Sequence, residues 1–225
     1  MAGVIERLDA AVICLQEDWV PDGAAASGRP ARDGVAQAAG TLSAAVYRAP
    51  IVRGVTRAVL GISLAGSPGD LCISVLTALP VTAYDVVPLG RGPGDSVPRY
   101  AQVLRLDVPG QGALRVVNTH LSCSVASPLQ LWRLRRQLRI DCTPTVIAGD
   151  LNMPGLLARR YAGLTGLVRG PTFRADKPVL QLDHILVTRG IDAGGGSVLP
   201  PIGSDHRPVR ARFRLSRAVA GQAGG

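Results

Sequence analysis

The chain contains three histidines, and each of them lies in a short box beside an aspartate or an asparagine. The boxes are Asn118–His120, Leu182–His184 and Ser204–His206, and a fourth box, Gly149–Asn152, is polar without a histidine. Histidine changes its protonation state near neutral pH, and a neighbouring aspartate can orient it or hold a metal ion. The pattern predicts that these boxes come together in one site.

Two of the candidate groups follow apolar runs that predict buried strands. Glu17 ends the run 11–16, where a charge beside a buried strand is costly unless a partner or a metal ion compensates it. Asp150 and Asn152 follow the run 145–148, and two residues apart in extended backbone their side chains point the same way. We expect Asp150 to take a proton from water and Asn152 to donate to a substrate oxygen.

The last box lies at a junction between a loop and a strand. Asp205 offers the hard oxygen that Mg²⁺ prefers, and His206 is suited to acid/base catalysis. A histidine in that role needs an orienting carboxylate, for which Asp183 is the candidate. His184 faces the opposite side of its strand from Asp183, so we predict a hydrogen-bonded histidine in the core.

Composition limits the class of protein. Apolar residues make up 47% of the chain, enough for a sizeable core, and no apolar run is long enough to predict a transmembrane helix. The first twenty residues lack the pattern of a signal peptide, so the expected location is the cytoplasm. The cysteines, at positions 14, 72, 123 and 142, match no zinc or redox spacing and are predicted to be buried free thiols.

The chain is strongly basic, with a formal net charge of +9 at pH 7. This charge favours a polyanionic partner such as nucleic acid, or a phosphorylated substrate. A general preference for arginine explains it equally, because Lys177 is the only lysine.

The distribution of apolar residues predicts many strands and few helices. Turn signals separate the strands, and the clearest helix spans 128–140, whose arginines we interpret as a solvated face. We predict a single domain over residues 1–217, a disordered tail over 218–225, and a monomer. The predicted strands cover 11–16, 42–48, 56–64, 71–77, 100–108, 113–119, 144–149, 182–188 and 207–214, with a short helix at 35–40.

In this order and at these strand ends, the boxes resemble those of the endonuclease/exonuclease/phosphatase superfamily of metal-dependent phosphoesterases. The resemblance runs from about Val4 to Leu215. It implies an α+β fold, a four-layered α/β sandwich in which two mixed β-sheets pack face to face with helices outside. The matching stretches are ICLQE (13–17), ISVLTALPV (73–81), VVNTHLS (116–122), VIAGDLNMP (146–154), PTF (171–173), QLDHILV (181–187) and GSDHRPV (203–209).

The resemblance also implies roles around a metal ion. Glu17 and Asp205 match the carboxylates that bind Mg²⁺, or Mn²⁺ in its place. Asp183 matches the aspartate that orients a histidine, here His206. We therefore expect a divalent-metal cofactor.

The remaining matches surround the substrate. His120 corresponds to the histidine that contacts the scissile phosphate, as an acid or a stabiliser of the transition state. Asp150 and Asn152 correspond to the pair that positions or deprotonates the attacking water and binds the phosphate, and Arg99 to an arginine near the phosphate. The general base is either Asp150 or His206.

The chain departs from the family pattern at its beginning. Family members normally begin with a strand that ends in an Asn-x-x-Gly-like turn, upstream of the glutamine–glutamate pair. Here that strand and its asparagine are missing, and we expect either a start upstream of Met1 or a truncated variant.

The predicted function is divalent-metal-dependent hydrolysis of a phosphodiester, in nucleic acid or a small molecule, by in-line attack of an activated water. Two alternatives stand beside it. One is a phosphomonoesterase acting on a sugar, inositol or lipid phosphate, and the other is a truncated, catalytically impaired binding protein.

Overall fold

The computed structural model describes residues 2–22, 33–55, 68–139 and 143–216. The helices are α1 (Ala2–Ile5), followed by a 3₁₀ turn at Glu6–Leu8, α2 (Gly34–Thr41), α3 (Ser127–Gln137) and α4 (Gly155–Ala162). The strands are β1 (Val12–Pro21), β2 (Ala45–Val55), β3 (Pro68–Thr77), β4 (Val81–Gly90), β5 (Arg99–Val108), β6 (Gly112–His120), β7 (Thr145–Asp150), β8 (Thr165–Gly166), β9 (Asp183–Val187), β10 (Ile191–Val198) and β11 (Val209–Leu215).

The described strands form three sheets. A three-stranded antiparallel sheet has the order β1-β3-β2, and a six-stranded mixed sheet has the order β4-β5-β6-β7-β9-β8. In the larger sheet β6 and β7 are parallel, because helix α3 crosses over between them. The antiparallel pair β10-β11 contacts the larger sheet through β9.

The two larger sheets enclose the main apolar core. Val75 from β3 packs with Leu104, Leu106 and Val116 from β5 and β6, and these side chains are almost completely buried. Burial of this apolar area is the main stabilising contribution to the sandwich.

Helices cover the outer faces of both sheets. Leu131 and Leu134 of α3 and Ala158 of α4 pack on the outer face of the six-stranded sheet. Ile5 and Val35, from α1 and α2, pack on the other sheet. The four-layered α+β sandwich predicted from the sequence is therefore confirmed.

Some elements differ from the predicted ones. The predicted helix at 128–140 ends at Gln137, and the predicted strand at 56–64 and tail at 218–225 lie outside the described residues. Strands β4 and β10 and helix α4 were not predicted. Most of β4 and β10 is exposed, so neither strand shows an apolar alternation, and α4 has only eight residues.

The prediction of buried thiols is only partly correct. Cys72 is buried and Cys14 is half-buried, with a pKa raised to about 12 by burial. Cys123 is exposed, because it lies in the loop after β6, so the prediction was wrong there. These three thiols are free, and Cys142 lies outside the described residues. In the described part of the chain, no helix is long and apolar enough to cross a membrane.

A buried asparagine ties the two large sheets together. Asn118 Nδ2 lies 3.0 Å from each of three oxygens: the carbonyls of Leu15 and Ser74, and Oε1 of Gln102. Its Oδ1 accepts a hydrogen bond of 2.7 Å from Gln16 Nε2. This network joins β6 and β5 to β1 and β3, directly beside the candidate site residue Glu17.

Replacing Asn118 with leucine should lower the free energy of unfolding by about 3 kcal/mol, because several buried partners lose their hydrogen bonds. Chemical denaturation measures this loss. The matched control is Gln137→Leu at an exposed helix position, where a change below about 0.5 kcal/mol is expected. Equal effects of the two substitutions would contradict the role of this network.

Candidate active site

Strand register brings three of the boxes to one edge of the six-stranded sheet. His120 and Asp150 are partners at the ends of the parallel strands β6 and β7. Asp150 is also the partner of Asp183, the first residue of antiparallel β9. All three side chains are buried or nearly so, and they form the floor of the site.

His206 reaches this floor from the loop before β11. Its Nδ1 lies 2.8 Å from Asp183 Oδ2, and its Nε2 lies 3.8 Å from Asp150 Oδ2. Burial opposes the charged ring, but the hydrogen bond and negative charge of Asp183, together with Asp150, raise the pKa of His206 to about 9. Nδ1 therefore donates to Asp183, and Nε2 faces the side where Asp150 lies.

Asp150 lies at the centre of the site. Burial, followed by the negative charge of Asp183, raises the pKa of Asp150 to about 7. Its Oδ1 accepts a 2.9 Å hydrogen bond from the backbone N–H of Asn152. A carboxylate with a pKa near the working pH can both accept and release a proton.

His120 completes the floor on the side of β6. Its Nε2 lies 3.5 Å from Asp150 Oδ2, and its Nδ1 lies 3.9 Å from Glu17 Oε1. Burial, followed by the positive charges of Arg99 and His206, lowers the pKa of His120 to about 3. The ring is therefore neutral at neutral pH and can donate one hydrogen bond to an incoming oxygen.

Glu17 does not end its strand, as the sequence predicted, because β1 continues to Pro21. A β-bulge within β1 presents Glu17 to the site. The pairing of β1 with β3 shifts between Leu15 and Asp18, and Glu17 has a left-handed φ of 56°. The residues on both sides are held: Gln16 by Asn118, and the buried Asp18 by Ser74 Oγ at 2.5 Å and Arg48 Nε at 3.1 Å. The unusual backbone conformation is thus fixed by the structure around it.

Glu17 and Asp205 carry like charges that act on each other. The Glu17 side chain is 54% exposed and Asp205 is also exposed. Burial and the negative charge of Asp205 raise the pKa of Glu17, while Arg99 and His206 oppose the rise. Two hard carboxylates that destabilise each other fit a divalent cation such as Mg²⁺ or Mn²⁺.

A second possible metal-binding cluster lies deeper in the site than Glu17 and Asp205. Single ligand atoms of Asp150, Asp183 and His206 all lie within 4.8 Å of one another, which would also allow a metal ion. The short hydrogen bond from His206 to Asp183, however, already uses one nitrogen and one oxygen of this group. The assignment of the metal ion to Glu17 and Asp205 stays a prediction.

Asn152 lies in the turn after β7, so the predicted extended backbone from Asp150 to Asn152 was wrong. It has a left-handed φ of 49°, a conformation that asparagine tolerates, and its Nδ2 donates to the Leu121 carbonyl at 2.9 Å. The second Nδ2 hydrogen remains for another acceptor. Before the turn, Gly149 lies within β7 as the partner of Thr119 on β6. Its φ is 141°, and an added Cβ would meet the Thr119 carbonyl oxygen at 1.9 Å.

Gly149→Ala should therefore prevent correct pairing of β6 with β7 and destabilise the fold by about 3 kcal/mol or more. Thermal or chemical unfolding measures this. Gly40→Ala in α2 is the matched control, because its added Cβ meets nothing within 4 Å, and it should be neutral or slightly stabilising. A stable Gly149→Ala protein would contradict the close approach of β6 and β7 at this position.

Arg99 lies at the same edge of the sheet, at the start of β5. Its side chain is 12% exposed, and its Nη2 lies 3.4 Å from Asp95 Oδ1. Its buried Nε has no hydrogen-bond partner among the described residues. The charge of Arg99 lowers the pKa values of both His120 and Glu17, so the arginine belongs to the electrostatics of this site.

Sequence reasoning missed several supporting residues. Asp95 accepts hydrogen bonds from the Gly92 N–H and from Ser122 Oγ, which hold its loop beside the site. Thr172 is fully buried, and its Oγ1 accepts the backbone N–H of Asp183 at 3.3 Å. Neither has a recognisable spacing to the residue it supports.

Phe173 and His184 both lie near the site, but only the Phe173 side chain packs against one of its residues. Phe173 packs against His206, with ring centroids 4.8 Å apart, so it supports the ring that faces Asp150. His184 is buried on the other side of β9, and its Nε2 lies 2.9 Å from the Met153 carbonyl oxygen. The predicted packing role of His184 agrees with this position.

The chain belongs to the Endonuclease/Exonuclease/phosphatase family, whose profile matches residues 1–206. Members of this family are hydrolases that act on phosphoester bonds. No curated protein sequence matches the chain.

Solved structures share the fold at low sequence identity. An endonuclease/exonuclease/phosphatase from Beutenbergia cavernae is 23% identical, with a TM-score of 0.67; the alignment covers 96% of this chain and 65% of that one. The mannosyl-6-phosphatase of Bacteroides thetaiotaomicron is 12% identical (TM-score 0.70; coverage 95% and 89%). ANGEL2, a 2′,3′-cyclic phosphatase, is 16% identical (TM-score 0.65; coverage 95% and 84%).

Proposed function

We propose that the protein is a divalent-metal-dependent phosphodiesterase. The observation that carries the proposal is the geometry at one sheet edge: Asp150 faces His206, which is hydrogen-bonded to Asp183 at 2.8 Å. Glu17 lies 3.9 Å from His120 in the same site, and the negative charge of Asp205 raises the pKa of Glu17. This set combines a proton acceptor, an oriented histidine and a pair of hard metal ligands.

The metal ion, Mg²⁺ or Mn²⁺, would be held by Glu17 and Asp205. When bound, it neutralises charge on the phosphoryl oxygens and lowers the pKa of bound water. Its positive charge would also remove the repulsion between the two carboxylates.

The remaining residues bind the phosphate and move protons. His120, neutral and buried, donates a hydrogen bond to a non-bridging oxygen, and the free Nδ2 hydrogen of Asn152 donates to another. The buried guanidinium of Arg99 adds positive charge beside them. Donors fixed in this way stabilise the charge that develops as the phosphoryl group is attacked.

Proton transfer involves Asp150 and His206. Asp150, with a pKa of about 7, takes the proton of the attacking water. His206, with a pKa of about 9, is protonated at neutral pH and gives its Nε2 proton to the leaving oxygen. Asp183 keeps the ring oriented throughout, as in other carboxylate–histidine pairs.

A phosphomonoesterase is the second candidate. The similarity in fold to a mannosyl-6-phosphatase favours it, because that protein acts on a monoester with the same architecture. The similarity to a 2′,3′-cyclic phosphatase equally favours a diester. Nucleic acid is a candidate diester because of the net charge of +9.

Hydrolysis of a substrate panel separates these functions. With Mn²⁺, bis(4-nitrophenyl) phosphate should be hydrolysed faster than 4-nitrophenyl phosphate, EDTA should stop the reaction, and fresh Mn²⁺ should restore it. Single-stranded DNA and RNA belong in the same panel. Faster turnover of the monoester would favour the second candidate, and no turnover of any ester would favour a binding protein.

A further inference from the structure

The outward face of helices α3 and α4 carries an unusual concentration of exposed apolar side chains. Ten large apolar side chains are exposed among the described residues, and six of them lie on or immediately before these two helices. Single exposed apolar residues need no explanation, but a contiguous group marks an interaction surface. The six are Val125, Leu129, Trp132, Leu156, Leu157 and Tyr161.

Helical spacing places these side chains on the outer side of the helices. On α3, Leu131 and Leu134 face the sheet, so Leu129 and Trp132 lie on or near the opposite side. On α4, Ala158 faces the sheet and Leu156 points outward, with 71% of its surface exposed. We call this surface the α3–α4 face.

Arginines lie on the same face. Arg133 and Arg136 are exposed on the outer side of α3, and Arg160 is exposed on α4. The guanidinium of Arg136 lies 4.9 Å from the centroid of the Trp132 ring. Neither helix contains an acidic residue, and between His120 and Asp176 only Asp141 and Asp150 are acidic.

The two helices lie side by side next to the candidate active site. They pack against each other. At the end of α4, a Cβ added to Gly163 would lie about 3 Å from the guanidinium of Arg135 on α3. Helix α3 follows the box at the end of β6, and α4 follows the box at the end of β7. Both helices therefore begin at the sheet edge that holds His120 and Asp150.

We propose that the α3–α4 face docks on the surface of an anionic lipid bilayer. Leucine and valine side chains enter the boundary between headgroups and acyl chains, while tryptophan and tyrosine favour the headgroup level. Arginine extends its charge to the lipid phosphates while its aliphatic stem covers apolar surface. Docking in this orientation holds the active-site edge close to the bilayer.

The positive charge of the α3–α4 face favours an anionic bilayer over a second copy of the chain as its partner. A symmetric dimer through the α3–α4 face would bring Arg133 and Arg136 of one protomer against the same cationic surface of its partner, which is unfavourable. The exposed aliphatic side chains distinguish it from nucleic acid, because Val125, Leu129 and Leu156 offer no hydrogen bond to phosphate or base. The bilayer uses the apolar and the cationic groups together.

The test is co-sedimentation of the full chain with vesicles of phosphatidylcholine alone and with vesicles that also contain phosphatidylglycerol. Binding should require phosphatidylglycerol and weaken as salt rises. Arg133→Gln/Arg136→Gln should weaken binding by roughly tenfold or more, and Leu129→Ser/Leu156→Ser by at least about fivefold. The charge-matched control Arg105→Gln/Arg212→Gln, on exposed strand residues, should change binding less than about twofold.

Two further measurements complete the test. The fluorescence of Trp132 should shift to shorter wavelength with anionic vesicles, and Trp132→Phe should abolish the shift although Trp19 remains.

Equal vesicle binding by the face variants and the control would overturn the proposal. So would tighter binding to duplex DNA that depends on the arginines alone, or a dimer in solution that Leu129→Ser/Leu156→Ser dissociates. None of these readouts depends on turnover, so the proposal stands or fails separately from the proposed function.

Discussion

Replacing His206 with alanine is expected to lower kcat/KM for a phosphodiester by about 10²- to 10⁴-fold, because the variant loses the proton donor that Asp183 orients. The fold should be retained, since His206 is only half-buried and lies in a loop. Steady-state hydrolysis of bis(4-nitrophenyl) phosphate with Mn²⁺, alongside a thermal melt, measures both effects. The control is Asp107→Asn, an exposed acid at the opposite end of β5 from Arg99, which should leave kcat/KM unchanged.

The pH dependence of Asp183→Asn tests the same pair in a different way. The hydrogen bond and the negative charge of Asp183 are the main causes that raise the pKa of His206 to about 9. Removing that charge should therefore lower the pKa of His206. A proton donor is lost as pH rises through its pKa. The alkaline limb of the pH–rate profile should therefore move to lower pH in Asp183→Asn. An unchanged limb would show that the titration of His206 does not control the rate.

The second large effect concerns metal binding through Glu17. In the wild type, Mn²⁺ at about 100 times its Kd should stabilise the fold by about 2.7 kcal/mol. In Glu17→Gln this stabilisation should be lost. Without metal, however, Glu17→Gln should be no less stable than the wild type, because the substitution removes repulsion from Asp205. Thermal melts with and without Mn²⁺ measure this crossover.

Two controls sharpen the metal experiment. Asp107→Asn removes the same charge far from the site and should keep the full response to Mn²⁺. Glu17→Gly keeps the left-handed φ of 56° without a Cβ penalty, so it should fold at least as well as Glu17→Gln and also fail to respond. A normal Mn²⁺ response in either Glu17 variant would move the metal site to the deeper group of Asp150, Asp183 and His206.

Much of the fold and of the candidate site could be predicted from the sequence, because both depend on local patterns of apolar and polar residues. Apolar strands ending in polar boxes place His120 and Asp150 at strand ends, and the structure pairs these two residues at one edge of the sheet. Glu17 reaches the same site from a β-bulge within β1, so its predicted position at a strand end was wrong. The pairing of Asp183 with His206, expected from the family resemblance, has a distance of 2.8 Å.

What the sequence did not predict depends on contacts between distant segments. The β-bulge at Glu17 exists because Gln16 bonds Asn118, more than a hundred residues away. The loop residue Asp95 holds Arg99 without any motif that would indicate it. Strands with little buried apolar surface, such as β4 and β10, lack the alternation that sequence patterns require.

The most direct test of the central claim is Mn²⁺-dependent hydrolysis of bis(4-nitrophenyl) phosphate by the wild type and by Asp150→Asn. Asp150 lies beside three of the groups in the proposed chemistry: His206 at 3.8 Å, His120 at 3.5 Å and the backbone of Asn152 at 2.9 Å. We expect turnover by the wild type that EDTA abolishes, and a decrease of about 10³-fold or more in a folded Asp150→Asn protein. Equal rates for the two proteins would contradict it.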